Sequence, residues 1–136
     1  MWDFKGKVTG CLLFFVISCQ VSADVQISGT YTNMGLSGGE DLSGMEILIV
    51  GATDGYHALV QCAQSEPMPP VLVNLTVNEP NITFNLPATA KTGCDGTKAT
   101  GKVTAAGIEL SFGPRHKSVL IKRGVTFWNS AQSGQD

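Results

Sequence analysis

The sequence predicts an all-β domain, an antiparallel meander of about eight strands that closes, or nearly closes, into a small barrel. Three observations favour this fold class. Almost no segment has helical periodicity, glycine is abundant at 16 of 136 residues, and short alternating apolar segments follow one another through tight turns. Because closing a meander into a barrel removes its exposed edges, a barrel is favoured. A two-sheet β-sandwich is the alternative.

The strongest local signal is a hairpin over residues 44–64. Asp54-Gly55 lies between two apolar, β-branched runs and predicts a two-residue type I′ turn. That turn would pair Ile49 with Val60. The predicted inward face holds Met45, Ile47, Ile49, Gly51, Ala58, Val60 and Cys62. The mixed, outward face holds Glu46, Leu48, Val50, His57, Leu59 and Gln61.

Two further hairpins follow from alternation of apolar and polar residues. One joins residues 71–77 to residues 82–86 and pairs Val77 with Ile82. The other joins residues 97–104 to residues 108–112 and pairs Val103 with Ile108. Residues 25–32 and 118–123 complete the set of strands, and residues 125–128 could prolong the last one. Residues 33–44 predict a long surface loop, and the proline-rich residues 65–70 predict a stiff link.

Residues 1–23 have the pattern of a secretory signal peptide. Lys5 and Lys7 supply a positive start, residues 11–18 form a short apolar run, and residues 21–23 end in small side chains suited to cleavage. A bilayer span needs ~20 apolar residues, so this run is too short to cross a membrane. The remaining chain is expected to be one β domain, residues 24–129, followed by a flexible polar tail, residues 130–136.

A lipoprotein signal ending before Cys19 is the alternative. Cys19 follows a small residue at the end of the apolar run, so it could carry lipid and tether the domain to an outer membrane. Membrane contact is expected only in that case. Both alternatives place the domain outside the cytoplasm, in the periplasm or secreted.

Two cysteines lie in the predicted domain, and an oxidising compartment favours a disulfide between Cys62 and Cys94. A metal site is not expected, because two cysteines without CxxC spacing and without clustered histidines do not make one. The net charge of −2 leaves no basic footprint for nucleic acid. Asn74 and Asn81 begin N-glycosylation sequons, which matter only in a eukaryotic secretory pathway.

No motif for catalysis or cofactor binding is present in the sequence. His57 lies close to Asp54, but an exposed turn histidine explains it without a catalytic role. Three apolar residues on the outward face of the central hairpin could form a partner surface, unless residues 127 and 128 cover them: Leu48, Val50 and Leu59.

The segment Gly29-Thr30-Tyr31, followed by a meander and a late strand ending in Arg123, resembles the calycin plan. Lipocalins and avidins begin with Gly-x-Trp and pack a late arginine against that ring. Here Tyr31 stands in place of the tryptophan, and Arg123 is the late arginine. The resemblance implies a barrel with Arg123 against Tyr31, and it implies no particular ligand.

The sequence therefore predicts a non-enzymatic binding or inhibitor-type protein that acts on an unknown protein partner. The loop over residues 33–44 is the expected contact, because long loops in compact domains are usually functional or disordered. The contact residues expected from it are Leu36, Glu40, Asp41 and Leu42. The alternative is a carrier of a small apolar ligand, with room left inside the barrel by Gly51, Ala58, Ala99 and Gly101.

Overall fold

The computed structural model describes residues 24–132, with side chains up to Ser130. This part of the chain forms nine strands and one helix. They are β1 (Gly29–Thr32), β2 (Gly35–Ser37), β3 (Asp41–Ala52), β4 (Gly55–Pro67), β5 (Val71–Asn78), β6 (Asn81–Asn85), β7 (Lys98–Val103), β8 (Gly107–Ser111), β9 (Val119–Arg123) and α1 (Phe127–Gln132). The signal peptide predicted over residues 1–23, the lipidation predicted at Cys19 and tail residues 133–136 lie outside the described residues and stay predictions.

Eight of the strands close into an antiparallel barrel. Neighbouring strands pair in chain order from β3 to β9, and β1 pairs with both β3 and β9. β2 is an extra strand that pairs with β3 alone. The predicted all-β barrel is therefore confirmed, and the sandwich alternative is not formed.

The central hairpin has the predicted faces but a register shifted by two residues. Ile49 pairs with Ala58 and Ile47 pairs with Val60, so the loop is Thr53-Asp54 and not Asp54-Gly55. A type I′ turn needs positive φ at both loop residues, whereas only Gly55 adopts it here, at φ 128°. A shift of two residues leaves each side chain on its face, since the side-chain period of a strand is two.

The other two hairpins have the predicted registers. Val77 pairs with Ile82, and Val103 pairs with Ile108. Gly101, which pairs with Leu110, lies where a Cβ would approach Ile108 Cγ2 to 2.8 Å. The small residue at this position therefore lets neighbouring side chains fill the barrel.

The predicted loop over residues 33–44 is instead mostly strand. β1 and β2 keep one continuous register against β3, so they form a single strand interrupted at Asn33 and Met34. The interruption is possible because Gly44, opposite it, has φ 105°, and a Cβ there would lie 2.6 Å from the Asn33 carbonyl oxygen. Only residues 38–40 remain as a turn at the tip.

Two further boundaries differ from the prediction. β4 continues to Pro67, through the first residues of the predicted stiff link, with Ser65 at φ 65°. The chain after β9 turns into helix α1 instead of prolonging the strand, and α1 includes residues 130–132 of the predicted tail. The helix begins where Glu46 accepts hydrogen bonds from Thr126 Oγ1 at 2.5 Å and from the Phe127 backbone N–H at 2.6 Å.

The barrel interior is filled by apolar side chains. The largest of those with almost no exposed surface are Tyr31, Phe84, Ile47, Ile49, Ile82, Ile108, Val60 and Val103. No helix among residues 24–132 is long and apolar enough to cross a membrane. The packed interior leaves the two ends and the outer wall of the barrel as the places where a site can form.

Candidate functional site

One end of the barrel is sealed by the segment that precedes β1. Ile27 is buried in the core, and its carbonyl oxygen accepts a hydrogen bond from the Tyr31 hydroxyl at 2.6 Å. Arg123 donates from Nη1 to the Ser28 carbonyl oxygen at 3.1 Å and from Nη2 to the Gln26 carbonyl oxygen. Burial raises the pKa of Tyr31, and the nearby Arg123 opposes that rise. This end is a structural closure.

The opposite end is open and contains a cavity of about 180 Å³. Its apolar lining includes Met45, Leu110 and Ile121, and its polar lining includes Asn33 and Lys117. The cavity therefore offers an apolar floor with a polar rim, which is the usual composition of a recognition pocket.

The disulfide between Cys62 and Cys94 lies at this open end and is part of the cavity lining. The two Cα atoms are 5.4 Å apart, and Cys62 is buried on β4. The predicted pairing is confirmed, and a buried disulfide is consistent with an oxidising compartment outside the cytoplasm. The bond ties the long β6–β7 connection back to β4. Cys62 lies on the part of β4 that extends past its pairing with β5, which ends at Val60 and Val71.

The barrel is held shut between β1 and β9 by only a short ladder. Tyr31 pairs with Arg123 and Thr32 pairs with Lys122. Continuing that register would place Gly35 opposite Val119, with Met34 opposite Leu120 and Leu36 opposite Ser118. Instead, β2 pairs with β3 alone, and Val119 and Leu120 pair with β8 alone. We call this gap between β2 and the first half of β9 the seam.

Backbone groups of two strand residues face the seam. Asn33 N–H donates to the Met45 carbonyl oxygen at 3.1 Å, so the alternation of an antiparallel ladder turns the N–H and C=O of Leu36 away from β3. Arg123 N–H donates to the Ala106 carbonyl oxygen at 3.0 Å, and the same alternation turns those groups of Leu120 away from β8. Leu36 and Leu120 thus present unpaired ladder positions on opposite sides of the seam.

The four contact residues predicted from the sequence are separated by the structure. Leu36 is 63% exposed, and Glu40 and Asp41 are exposed at the tip between β2 and β3. Leu42 is only 5% exposed, because it lies on the outer wall under Phe127. The prediction that the Leu42 side chain is available to a partner is therefore corrected, and the other three remain candidate contacts.

A second apolar surface lies on the outer wall. Leu48 pairs with Leu59 and Leu59 pairs with Leu72, so their side chains form one row across β3, β4 and β5. Trp128 reaches only the edge of this row, where its Nε1 donates to Gln61 Oε1 at 3.0 Å. The alternative in which residues 127 and 128 cover Leu48, Val50 and Leu59 is thus realised only in part, because all three stay exposed, as does Leu72.

His57 is held between two polar side chains on the outer wall. Its Nε2 lies 2.8 Å from Asp54 Oδ1 and its Nδ1 lies 2.8 Å from Asn74 Oδ1. The bond to Asp54, followed by the bond to Asn74, raises the pKa of His57, and His57 in turn lowers the pKa of Asp54. Neither partner carries a hydroxyl or thiol, so the cluster can take up a proton but lacks the serine, threonine or cysteine of a catalytic triad.

Sequence reasoning identified Asp54 beside His57 but missed Asn74 and the seam. Asn74 pairs directly with His57 across β4 and β5, so a correct register for these two strands would have revealed the contact. The seam carries no comparable signal, since it arises where two strands distant in sequence stop pairing.

Within residues 24–130, no group of three or more histidine, cysteine, aspartate or glutamate side chains is arranged to hold a metal ion. Comparison of the chain with protein-family models, with curated proteins and with solved structures finds no match. The candidate site is therefore defined by geometry alone, as the open end of the barrel with its cavity, its seam and the β2–β3 tip.

Proposed function

We propose that this chain is an exported, non-enzymatic binding protein that holds a protein partner at the open end of its barrel. The observation that carries the proposal is the seam, where exposed Leu36 and Leu120 present unpaired backbone groups beside an apolar cavity. Native proteins normally blunt or cover such edges, because an uncovered edge pairs readily with other chains. If a partner covers the seam, the chain has no need to cover it with a segment of its own.

Export is part of the same proposal. The signal-peptide pattern over residues 1–23 and the disulfide between Cys62 and Cys94 both suit an oxidising compartment, periplasmic or extracellular. Cleavage after Ala23 gives a free domain, and lipidation at Cys19 gives one tethered to a membrane. The intact mass of the mature protein from the source organism distinguishes the two, because lipid adds mass and changes the first residue.

The partner is tested with two variants that differ only in where an exposed leucine is replaced. The wild-type domain, Leu36→Glu and Leu72→Glu are immobilised and exposed to an extract of the envelope and growth medium of the source organism. Leu36 and Leu72 are similarly exposed, at 63% and 68%, but only Leu36 borders the seam. We expect a stoichiometric protein partner retained by the wild type and by Leu72→Glu, and lost from Leu36→Glu.

Two results would contradict the proposal. One is the absence of a stoichiometric protein partner from the wild-type sample. The other is a partner that is lost from Leu72→Glu but kept by Leu36→Glu, since that outcome assigns the contact to the outer wall.

A carrier of a small apolar ligand is the second candidate, and the cavity of about 180 Å³ favours it. Gly101, one of the four positions expected to leave room inside the barrel, is packed, because a Cβ there would lie 2.8 Å from Ile108 and 3.1 Å from Leu110. A carried molecule would therefore be limited to the mouth. Native mass spectrometry of the purified protein tests it, and a mass equal to the polypeptide alone after exposure to an organic extract of the source cells removes this candidate.

A further inference from the structure

We propose that the partner presents an extended segment, which adds as a β-strand in the seam between β2 and β9 and places an apolar side chain in the open-end cavity. The inference rests on the proposed function and deepens it, because it names what kind of polypeptide the open end takes. Strand addition of this type draws affinity from main-chain hydrogen bonds and specificity from pockets for alternate side chains.

The backbone of the seam supplies the first half of the argument. Leu36 and Leu120 each turn an N–H and a C=O toward the gap, and no described residue pairs with them there. Both residues are exposed, so these groups are accessible to water. An extended peptide exchanges that water for ladder hydrogen bonds with the same spacing that joins every other pair of strands in the barrel.

A comparable divergence occurs elsewhere in the barrel. β5 and β6 pair only from Thr76 to Asn78, so the first half of β5 also lacks a neighbour on that side. There the β6–β7 connection is tied back by the Cys62–Cys94 disulfide, and its Gly93 packs against Met68, whose Cγ would lie 2.6 Å from a Cβ at position 93. Cys94 of that connection and Val71 of β5 both pack against the core at this end, whereas no described strand pairs with Leu36 or Leu120 in the seam.

The cavity supplies the second half. Side chains alternate across a strand, so an added strand points every second residue into the barrel. On β9 the inward residues are Val119 and Ile121, and both line the cavity together with Met45 from β3. An inward side chain from the added strand that reaches the apolar floor of the cavity is expected to be apolar, because burying a polar group against apolar side chains is costly.

The outward face of the seam is apolar as well. Leu36 on β2 and Leu120 on β9 have their side chains on the outer wall, at 63% and 40% exposure. An outward side chain of the added strand lies between them. The segment is therefore expected to be a short run that is apolar on both faces, with β-branched or aromatic residues that favour extended backbone.

The test begins with the mature domain, residues 24–136, and a displayed library of random linear eight-residue peptides. We expect enriched peptides with a short run of consecutive apolar residues, many of them β-branched or aromatic. The selected peptide is then synthesised with normal amides and with alternate amides N-methylated, so that one edge loses its donors while the side chains stay the same. One edge of the added strand faces β2 and the other faces β9, so N-methylation on either edge is expected to weaken binding.

Two variants of the protein locate the contact. Leu36→Pro removes the N–H that faces the seam, whereas Leu36→Thr keeps it and shortens the side chain by a similar amount. Peptide affinity should fall about five- to tenfold further in Leu36→Pro than in Leu36→Thr, the factor that one hydrogen bond contributes. Val119→Trp fills the cavity mouth from an exposed position and should also weaken binding, and circular dichroism confirms that each variant is folded.

Several outcomes overturn the inference. One is a library that yields no binding peptide. Another is a selected peptide that binds as tightly with either edge N-methylated as it does unmodified. A third is equal peptide affinity in Leu36→Pro and Leu36→Thr. Self-association of the domain through the seam, seen as a dimer that Leu36→Pro dissociates, assigns the edge to a second copy and also overturns it. One outcome would overturn strand addition and leave the proposed function standing. It is a protein partner that is lost from Leu36→Glu but binds Leu36→Pro as tightly as it binds Leu36→Thr.

Discussion

Arg123 lies over the ring of Tyr31, with its guanidinium carbon 4.6 Å from the ring centroid and its Nη2 donating to the Tyr31 hydroxyl at 2.6 Å. The first and last strands of the barrel are joined at this contact, because Tyr31 on β1 pairs with Arg123 on β9. Gly29 makes it possible, since a Cβ there would lie 2.8 Å from Arg123 Nη1. This is the contact that the resemblance to calycins implies, and it occurs here with tyrosine in place of tryptophan.

Replacing Arg123 should destabilise the barrel. Arg123→Ala removes the cation–π contact and the hydrogen bonds to Ser28 and Gln26, so the free energy of unfolding should fall by about 2–4 kcal/mol. Urea unfolding followed by circular dichroism measures it. Arg115→Ala is the matched control, because Arg115 is exposed in the β8–β9 connection. Equal stability of the two variants would show that the contact does not hold the barrel shut.

Gly101 should not tolerate a side chain. Gly101→Ala places a Cβ within 2.8 Å of Ile108 and 3.1 Å of Leu110, and such overpacking costs about 1–3 kcal/mol of unfolding free energy. Gly124→Ala is the control, because a Cβ there meets no atom within 4 Å. A thermal melt of each variant compares them. If Gly101→Ala melts with the wild type, space remains inside the barrel and the carrier alternative gains support.

Glu46 should hold helix α1 on the outer wall. Its carboxylate accepts from Thr126 Oγ1 and from the Phe127 N–H, so Glu46→Ala should release the helix at a cost of about 1 kcal/mol, as for loss of an N-cap. Trp128 is the one tryptophan in residues 24–136, and its emission should shift to longer wavelength as water replaces the Gln61 contact. Glu109→Ala, an outward glutamate on β8, should leave the emission unchanged. An unshifted spectrum in Glu46→Ala would contradict this account of the helix start.

The His57 cluster should give a pH dependence with a defined sign. The pKa of His57 is raised above 6.5, so its contribution to stability is full below pH 6.5 and is lost as the pH rises through the raised value. The pKa of Asp54 is lowered below 3.8, so its contribution is full above pH 3.8 and is lost as the pH falls through the lowered value.

NMR titration of the His57 ring checks the cause. Asp54→Asn should lower the pKa of His57 more than Asn74→Ala does, because the bond to Asp54 is the larger cause of the shift. Asp95→Asn, an exposed carboxylate at the open end, is the control and should leave the pKa of His57 where it is. A larger effect of Asn74→Ala than of Asp54→Asn would reverse the assignment.

Much of the fold follows from local alternation. The pairs Val77–Ile82 and Val103–Ile108 were predictable because apolar residues alternate on both strands up to a short turn, which leaves one register that buries them together. The central register was wrong by two residues because Asp54-Gly55 fits two hairpins. In one, both residues form the loop; in the other, Asp54 ends the loop and Gly55 begins the next strand. Sequence alone does not fix which residue adopts positive φ.

The remaining errors involve contacts between distant segments. Residues 33–44 are rich in glycine and predict a loop. Most of them form strand instead, because β2 pairs with the first residues of β3 within this segment. Phe127 continues an apolar run after β9, but Glu46 caps a helix there, and the helix then buries Leu42. Tertiary contacts overrode local preference in each case, and the seam, where pairing stops, depends on the same contacts.

Amide hydrogen exchange of residues 24–136, without any ligand, tests the seam most directly. Ile121 pairs with Ile108 on β8 and its N–H faces that strand, whereas the N–H of Leu120, one residue earlier, faces the gap. The account predicts that the Leu120 and Leu36 amides exchange orders of magnitude faster than the Ile121 amide. Protection of Leu120 and Leu36 equal to that of Ile121 would show that the barrel is closed along its whole length, and the proposed binding edge would not exist.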